Sequence, residues 1–146
     1  MFDAIVVDQP QTVTQSLPIA DLWRFLPIGY LFTIAIETPV LLFGLSRKIP
    51  VRQRLWLGVW LTACTYPVVV LVLPAILFDE TRGGYLFVAE TFAPVGECAL
   101  FWLAYRKTQY LTTNEWIRCL IVIVIANLAS FGAGEVLNYY AWFGLF

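Results

Sequence analysis

Residues 116–139 read WIRCLIVIVIANLASFGAGEVLNY, with Arg118 near the start and Glu135 near the end as the only formal charges. As a helix rising 1.5 Å per residue, this stretch extends about 36 Å, enough to cross a hydrocarbon core about 30 Å thick. Residues 25–46, 55–78 and 84–105 have the same apolar character. Short polar joints separate the four: RKIPVRQR, DETRG and RKTQYLTTNE. The expected fold is all-α, a bundle of four transmembrane helices forming one domain over residues 1–146. Residues 1–24 are expected as an extracytoplasmic or interfacial segment. Within it, SLPIADLWRF reads as a short interfacial helix starting at Ser16, with Pro18 in its first turn. The start of the chain carries acids and lacks the basic end and apolar core of a secretory signal.

Composition points the same way. Of 146 residues, 60% are hydrophobic and 13% charged, against roughly 45–50% and 25% in soluble domains. There is no histidine, which excludes Ser-His-Asp hydrolysis, His-ligated zinc or haem, and the Glu-x-x-His di-iron bundle. A net charge of −1 argues against nucleic acid as a partner. Cys64, Cys98 and Cys119 show no C-x-x-C spacing and read as packing residues. Neither a phosphate-binding glycine loop nor an H-E-x-x-H motif occurs, so the chain is not expected to be an enzyme.

Orientation follows from the cations, which favour the cytoplasmic side. Arg47, Lys48, Arg52, Arg54, Arg106, Lys107 and Arg118 sit in or beside the first and third joints, while Arg24 and Arg82 lie among acids. Both termini are therefore expected outside, across an inner or plasma membrane of bacterial type. The first span contains Glu37-Thr38-Pro39-Val40, and the third contains Glu90-Thr91 followed by Pro94-Val95-Gly96-Glu97. An apolar stretch, a basic pair and a second span with an early tryptophan follow each. This suggests a two-helix hairpin duplicated in tandem, the copies sharing one orientation.

Four glutamates, Glu37, Glu90, Glu97 and Glu135, fall inside the spans. A charge at mid-membrane costs at least about 2.5–3.5 kcal/mol, so each must be neutral, bonded or wet. Counted from the basic boundaries, Glu37, Glu97, Thr65 and Asn127 all lie about 14–17 Å deep. Glu90 and Glu135 lie about 24–26 Å from that boundary, in the outer half. Helical spacing also gives each span a polar or small stripe: Tyr30, Thr33, Glu37 and Gly44; Gly58, Thr62 and Thr65; Glu90, Ala93, Pro94 and Glu97; Asn127, Ser130, Gly134 and Asn138. Such faces turn inward in lipid.

Carboxylates with hydroxyl, amide and proline-freed carbonyl oxygens make an all-oxygen set suited to protons or hard cations. The expectation is a small channel or carrier for protons or small cations, divalent ones included. Glu37 and Glu97 form its central and metal-binding pair, assisted by Thr65 and Asn127, with Glu90 and Glu135 on the outer approach. No organic cofactor is expected, only a bound divalent cation. Membrane lipids and further copies of the chain are the expected partners, because four short helices enclose little volume. The alternative is a non-catalytic subunit or assembly factor of a larger membrane complex, its glutamates tying helices together by hydrogen bonds.

Overall fold

The computed structural model describes residues 19–77, 80–109 and 111–140. Four helices are long and apolar enough to cross a membrane, and no strand occurs among the described residues. They are α1 (Ile19–Gly44), α2 (Val51–Ile76), α3 (Arg82–Tyr105) and α4 (Thr113–Tyr139).

The helix ends differ from the predicted spans for local reasons. α1 runs unbroken from Ile19 through Pro27 and Pro39, so residues 19–25 are continuous with the helix of the first span, Trp23–Gly44, and form no separate helix. The expected start at Ser16 lies outside the described residues. At its other end α1 stops at Gly44, and Ser46 turns away to donate to Glu115 Oε1 at 3.1 Å. α2 starts earlier than predicted, directly after Pro50, whose fixed φ suits a helix entry. α4 starts at Thr113 because Glu115 folds back to accept from the Thr112 backbone N–H at 2.8 Å, half of a capping box.

Pro74, whose missing N–H would have bonded Val70 O, leaves a mark in α2 that a hydropathy pattern does not carry. Val68–Val72 is wound as a π-helix before Leu73–Ile76 returns to α geometry, and the Leu73 N–H reaches back to Val68 O. A residue without an N–H interrupts the i→i−4 ladder, and a wider turn absorbs the mismatch. Tyr85 on α3 supports this turn, its hydroxyl donating to Val69 O at 2.9 Å.

The helices form a closed ring. α1 and α3 each pack against α2 and α4, while the diagonal pairs, α1 with α3 and α2 with α4, make no backbone contact. Glycine allows one of these approaches. A Cβ at Gly58 would lie 2.5 Å from Thr38 Oγ1 and 2.9 Å from Thr38 Cα, so α2 meets α1 backbone to backbone.

Packing differs between the two halves of the ring. Leu41, Leu45, Leu57, Leu61, Phe101, Tyr105, Cys119, Ile123 and Ala126 form one buried cluster. All of them lie between the mid-bundle and the end carrying the basic joints. Phe101 stacks on Tyr105 at 4.9 Å and meets the edge of Trp116 at 5.4 Å. Two arginines secure the same end. Arg54 donates to Leu42 O and Arg118 to Gly44 O, supplying partners to carbonyls that the end of α1 leaves open. In the opposite half, Gly132 and Gly134 on α4 have nothing within 4 Å of a built Cβ. Neither glycine is a packing point among the described residues.

Candidate functional site

Just beyond the apolar cluster, all four helices place polar side chains in one layer. Glu37, Glu97, Thr62, Thr65 and Asn127 are buried, and Ser130 is half-buried. Glu37, from α1, accepts from Thr62 Oγ1 on α2 at 2.7 Å and from Ser130 Oγ on α4 at 2.7 Å. Glu97, from α3, accepts from Thr65 Oγ1 on α2 at 3.0 Å and from Asn127 Nδ2 on α4 at 2.8 Å. Each carboxyl thus bridges both flanking helices with both oxygens. The two are not hydrogen-bonded to each other, yet they lie close enough to interact electrostatically.

The layer has a two-fold pattern. Glu37 bonds Thr62 on the helix that follows it and Ser130 on the far hairpin; Glu97 bonds Asn127 on the helix that follows it and Thr65 on the far hairpin. Thr62 and Thr65 are three residues apart, as are Asn127 and Ser130. Thr62 also lies 2.8 Å from Gly58 O and Asn127 Nδ2 3.0 Å from Ile123 O, each four residues back. Buried Leu41 and Leu45 follow Glu37 by four and eight residues, as buried Phe101 and Tyr105 follow Glu97. In this bonding pattern Glu97, and not Glu90, takes the position that Glu37 has.

Hydrogens are scarce in this layer. Thr65 Oγ1 stands 3.1 Å from Leu61 O as well as near Glu97, and Ser130 Oγ stands 2.9 Å from Asn127 O as well as near Glu37. With Thr62, that makes three hydroxyls, each between a backbone carbonyl and a carboxyl oxygen. A hydroxyl donates one hydrogen. Where it goes to the carbonyl, the carboxyl must supply its own.

The sequence-predicted residues therefore separate into two groups. Glu37, Glu97, Thr65 and Asn127 come together in the layer. Glu90 lies further along α3, half-buried, within electrostatic reach of Glu37 and Glu135. Glu135 has a cation that depth counting overlooked: Arg82 Nη2 is 3.0 Å from both of its oxygens. Arg82 opens α3 and Glu135 lies in the last turn but one of α4, so the ring closure sets them side by side. Thr62 and Ser130 share the polar stripes of their helices, but nothing in the sequence pointed to Glu37 as their common partner. Their spacing of three from Thr65 and Asn127 was the available signal. No group of three or more metal-ligating side chains occurs among the described residues.

No protein-family model, curated protein or solved structure matches the chain. Fold and layer alone carry the functional reading.

Proposed function

We propose that this chain is a small integral membrane transport protein that moves protons, with Glu37 and Glu97 as its central proton carriers. One observation carries the reading: two carboxyls sit mid-bundle, bonded to one amide and to three hydroxyls that each have one hydrogen for two acceptors. Each carboxyl then holds a proton in the resting state and releases it without leaving an unpaired neighbour, because the hydroxyls can turn toward it. The same shell favours protons over a divalent cation. Asn127 aims its N–H₂ at Glu97, whereas a hard cation calls for converging oxygen lone pairs.

Access is asymmetric in this reading. The apolar cluster with Phe101 closes the basic side, while Glu90 and the less filled half lead toward Arg82 and Glu135. By the positive-inside rule the closed side is cytoplasmic and both termini lie outside. The exchanged hydrogen bonds support a tandem duplication in the Glu37–Glu97 register, giving two related proton sites. Thr62 and Ser130 join Thr65 and Asn127 as partners of the carriers.

The test is proton flux into liposomes holding a pH-sensitive dye, driven by a potassium diffusion potential. The native chain is expected to acidify the lumen, and Glu37→Gln and Glu97→Gln each to abolish most of the flux. Absence of flux from a correctly folded native chain, or flux untouched by both substitutions, overturns the proposal.

A second reading has its own support. Every carboxyl oxygen in the layer already has a partner, which also suits a subunit or assembly factor of a larger complex whose glutamates only fasten helices. Purification in mild detergent separates the two: a stoichiometric heterologous partner favours this reading, a self-contained assembly the first.

A further inference from the structure

Between α2 and α3, at the end with the basic joints, the surface opens into a cavity of about 420 Å³. Trp56 and Trp60 on α2 face Ala104 and Tyr105 on α3, with Gln53 and Thr108 at the mouth. Its size falls among small-ligand sites, about 300–1,000 Å³. From Gln53 to Trp60 it runs roughly 10 Å along the helix axis. Polar atoms gather at the end nearest the basic joints, where the Tyr105 hydroxyl donates to Gln53 Oε1 at 3.1 Å. The remainder is aromatic and aliphatic.

Charge at the mouth has one sign. Arg52, Arg106 and Lys107 are exposed and adjoin Gln53, Tyr105 and Thr108 in the chain. The Arg106 guanidinium lies over the Trp102 ring, 5.2 Å from its centre. No acid occurs in residues 47–54 or 105–114. None of these three cations forms an ion pair among the described residues, whereas Lys48 is held by Glu115 at 2.9 Å. Uncompensated cations above an apolar slot at the end of a span complement an amphiphile with an anionic head and a hydrocarbon tail.

We propose that this groove binds an anionic phospholipid, its phosphate at Arg52, Arg106 and Lys107 and an acyl chain between the two tryptophans and Ala104. The site is separate from the carboxyl layer and stands whether or not that layer carries protons.

Tryptophan fluorescence tests it with the full chain in phosphatidylcholine nanodiscs containing a small fraction of lipid with brominated acyl chains. Brominated phosphatidylglycerol is expected to quench more than brominated phosphatidylcholine at equal fraction, and to saturate. Arg52→Gln, Arg106→Gln and Lys107→Gln should each weaken the excess about fivefold in lipid concentration. Ala104→Phe, which fills the slot and keeps the cations, should remove it. Circular dichroism verifies each variant, and Lys107→Gln, in an exposed joint, leaves the helices intact if another fails to fold. Equal quenching by the two lipids overturns the proposal. So does an excess that survives Ala104→Phe, displacement by inorganic phosphate alone, or a co-purifying protein that shields the tryptophans.

Discussion

Replacing Glu97 by glutamine separates a carboxyl that holds a proton from one that is ionised. Glutamine has the same shape, with an oxygen that accepts and an N–H₂ that donates. Its oxygen can face Asn127 Nδ2, now 2.8 Å from Glu97 Oε2, and its N–H₂ can face Thr65 Oγ1, now 3.0 Å from Oε1. Thr65 then gives its hydrogen to Leu61 O, 3.1 Å away. If Glu97 is neutral in the native chain, no bond is lost and stability should change by less than about 0.5 kcal/mol. If it is an anion accepting from both neighbours, the substitution exchanges two charge-assisted hydrogen bonds for neutral ones, which costs about 1–3 kcal/mol. Glu97→Leu supplies the reference, because it removes two interhelical bonds worth about 0.6 kcal/mol each on average and up to about 1.7. Unfolding in mixed micelles with increasing SDS, followed by circular dichroism, gives both values. A Glu97→Gln variant as unstable as Glu97→Leu would refute the hydrogen count on which the proposed proton carriers rest.

Other consequences are smaller or more local. Asn127→Leu paired with Glu97→Leu in a double-mutant cycle should show a coupling of about 0.6–1.7 kcal/mol; zero coupling means the 2.8 Å bond contributes nothing. Gly58→Ala should lower stability by about 1–3 kcal/mol, since the added methyl meets Thr38 backbone that cannot swing aside; an unchanged thermal midpoint would show that α1 and α2 are further apart. Gly132→Ala meets nothing among the described residues and should be neutral or stabilising by up to about 1 kcal/mol. A marked loss there would place another chain against that face of α4. Arg82→Ala breaks an ion pair with side chains 64% and 38% exposed, so it should cost less than about 1 kcal/mol, and the cost should shrink with added salt.

Much of this architecture was legible in the chain because lipid imposes strict terms on sequence. A span must be apolar for about 20 residues, so the four helices stand out without any tertiary information. A polar residue deep in a span must turn inward, and counting from the basic joints set Glu37, Thr65, Glu97 and Asn127 at one level. What escaped the count depends on how helices are ordered around the ring. Glu135 meets Arg82 only because α3 and α4 are neighbours with their outer ends adjacent. Thr62 and Ser130 reach Glu37 from the two helices flanking α1, an arrangement that periodicity along one helix does not encode. The Tyr85 hydroxyl that bonds Val69 O in the π-turn before Pro74 arrives from another helix. The sequence likeness between the hairpins offered both Glu90 and Glu97 as matches to Glu37, and only Glu97 shares its pattern of hydrogen-bond partners.

The central claim concerns protons on two particular carboxyls, and infrared spectroscopy observes them directly. In the reconstituted native chain near neutral pH, the account predicts a C=O band of protonated carboxylic acid that shifts on transfer to D₂O. Glu37→Gln and Glu97→Gln should each remove part of that band, and the double variant nearly all that arises from the layer. A native spectrum in which neither substitution alters this band, or a band that never exchanges with D₂O, would contradict the account.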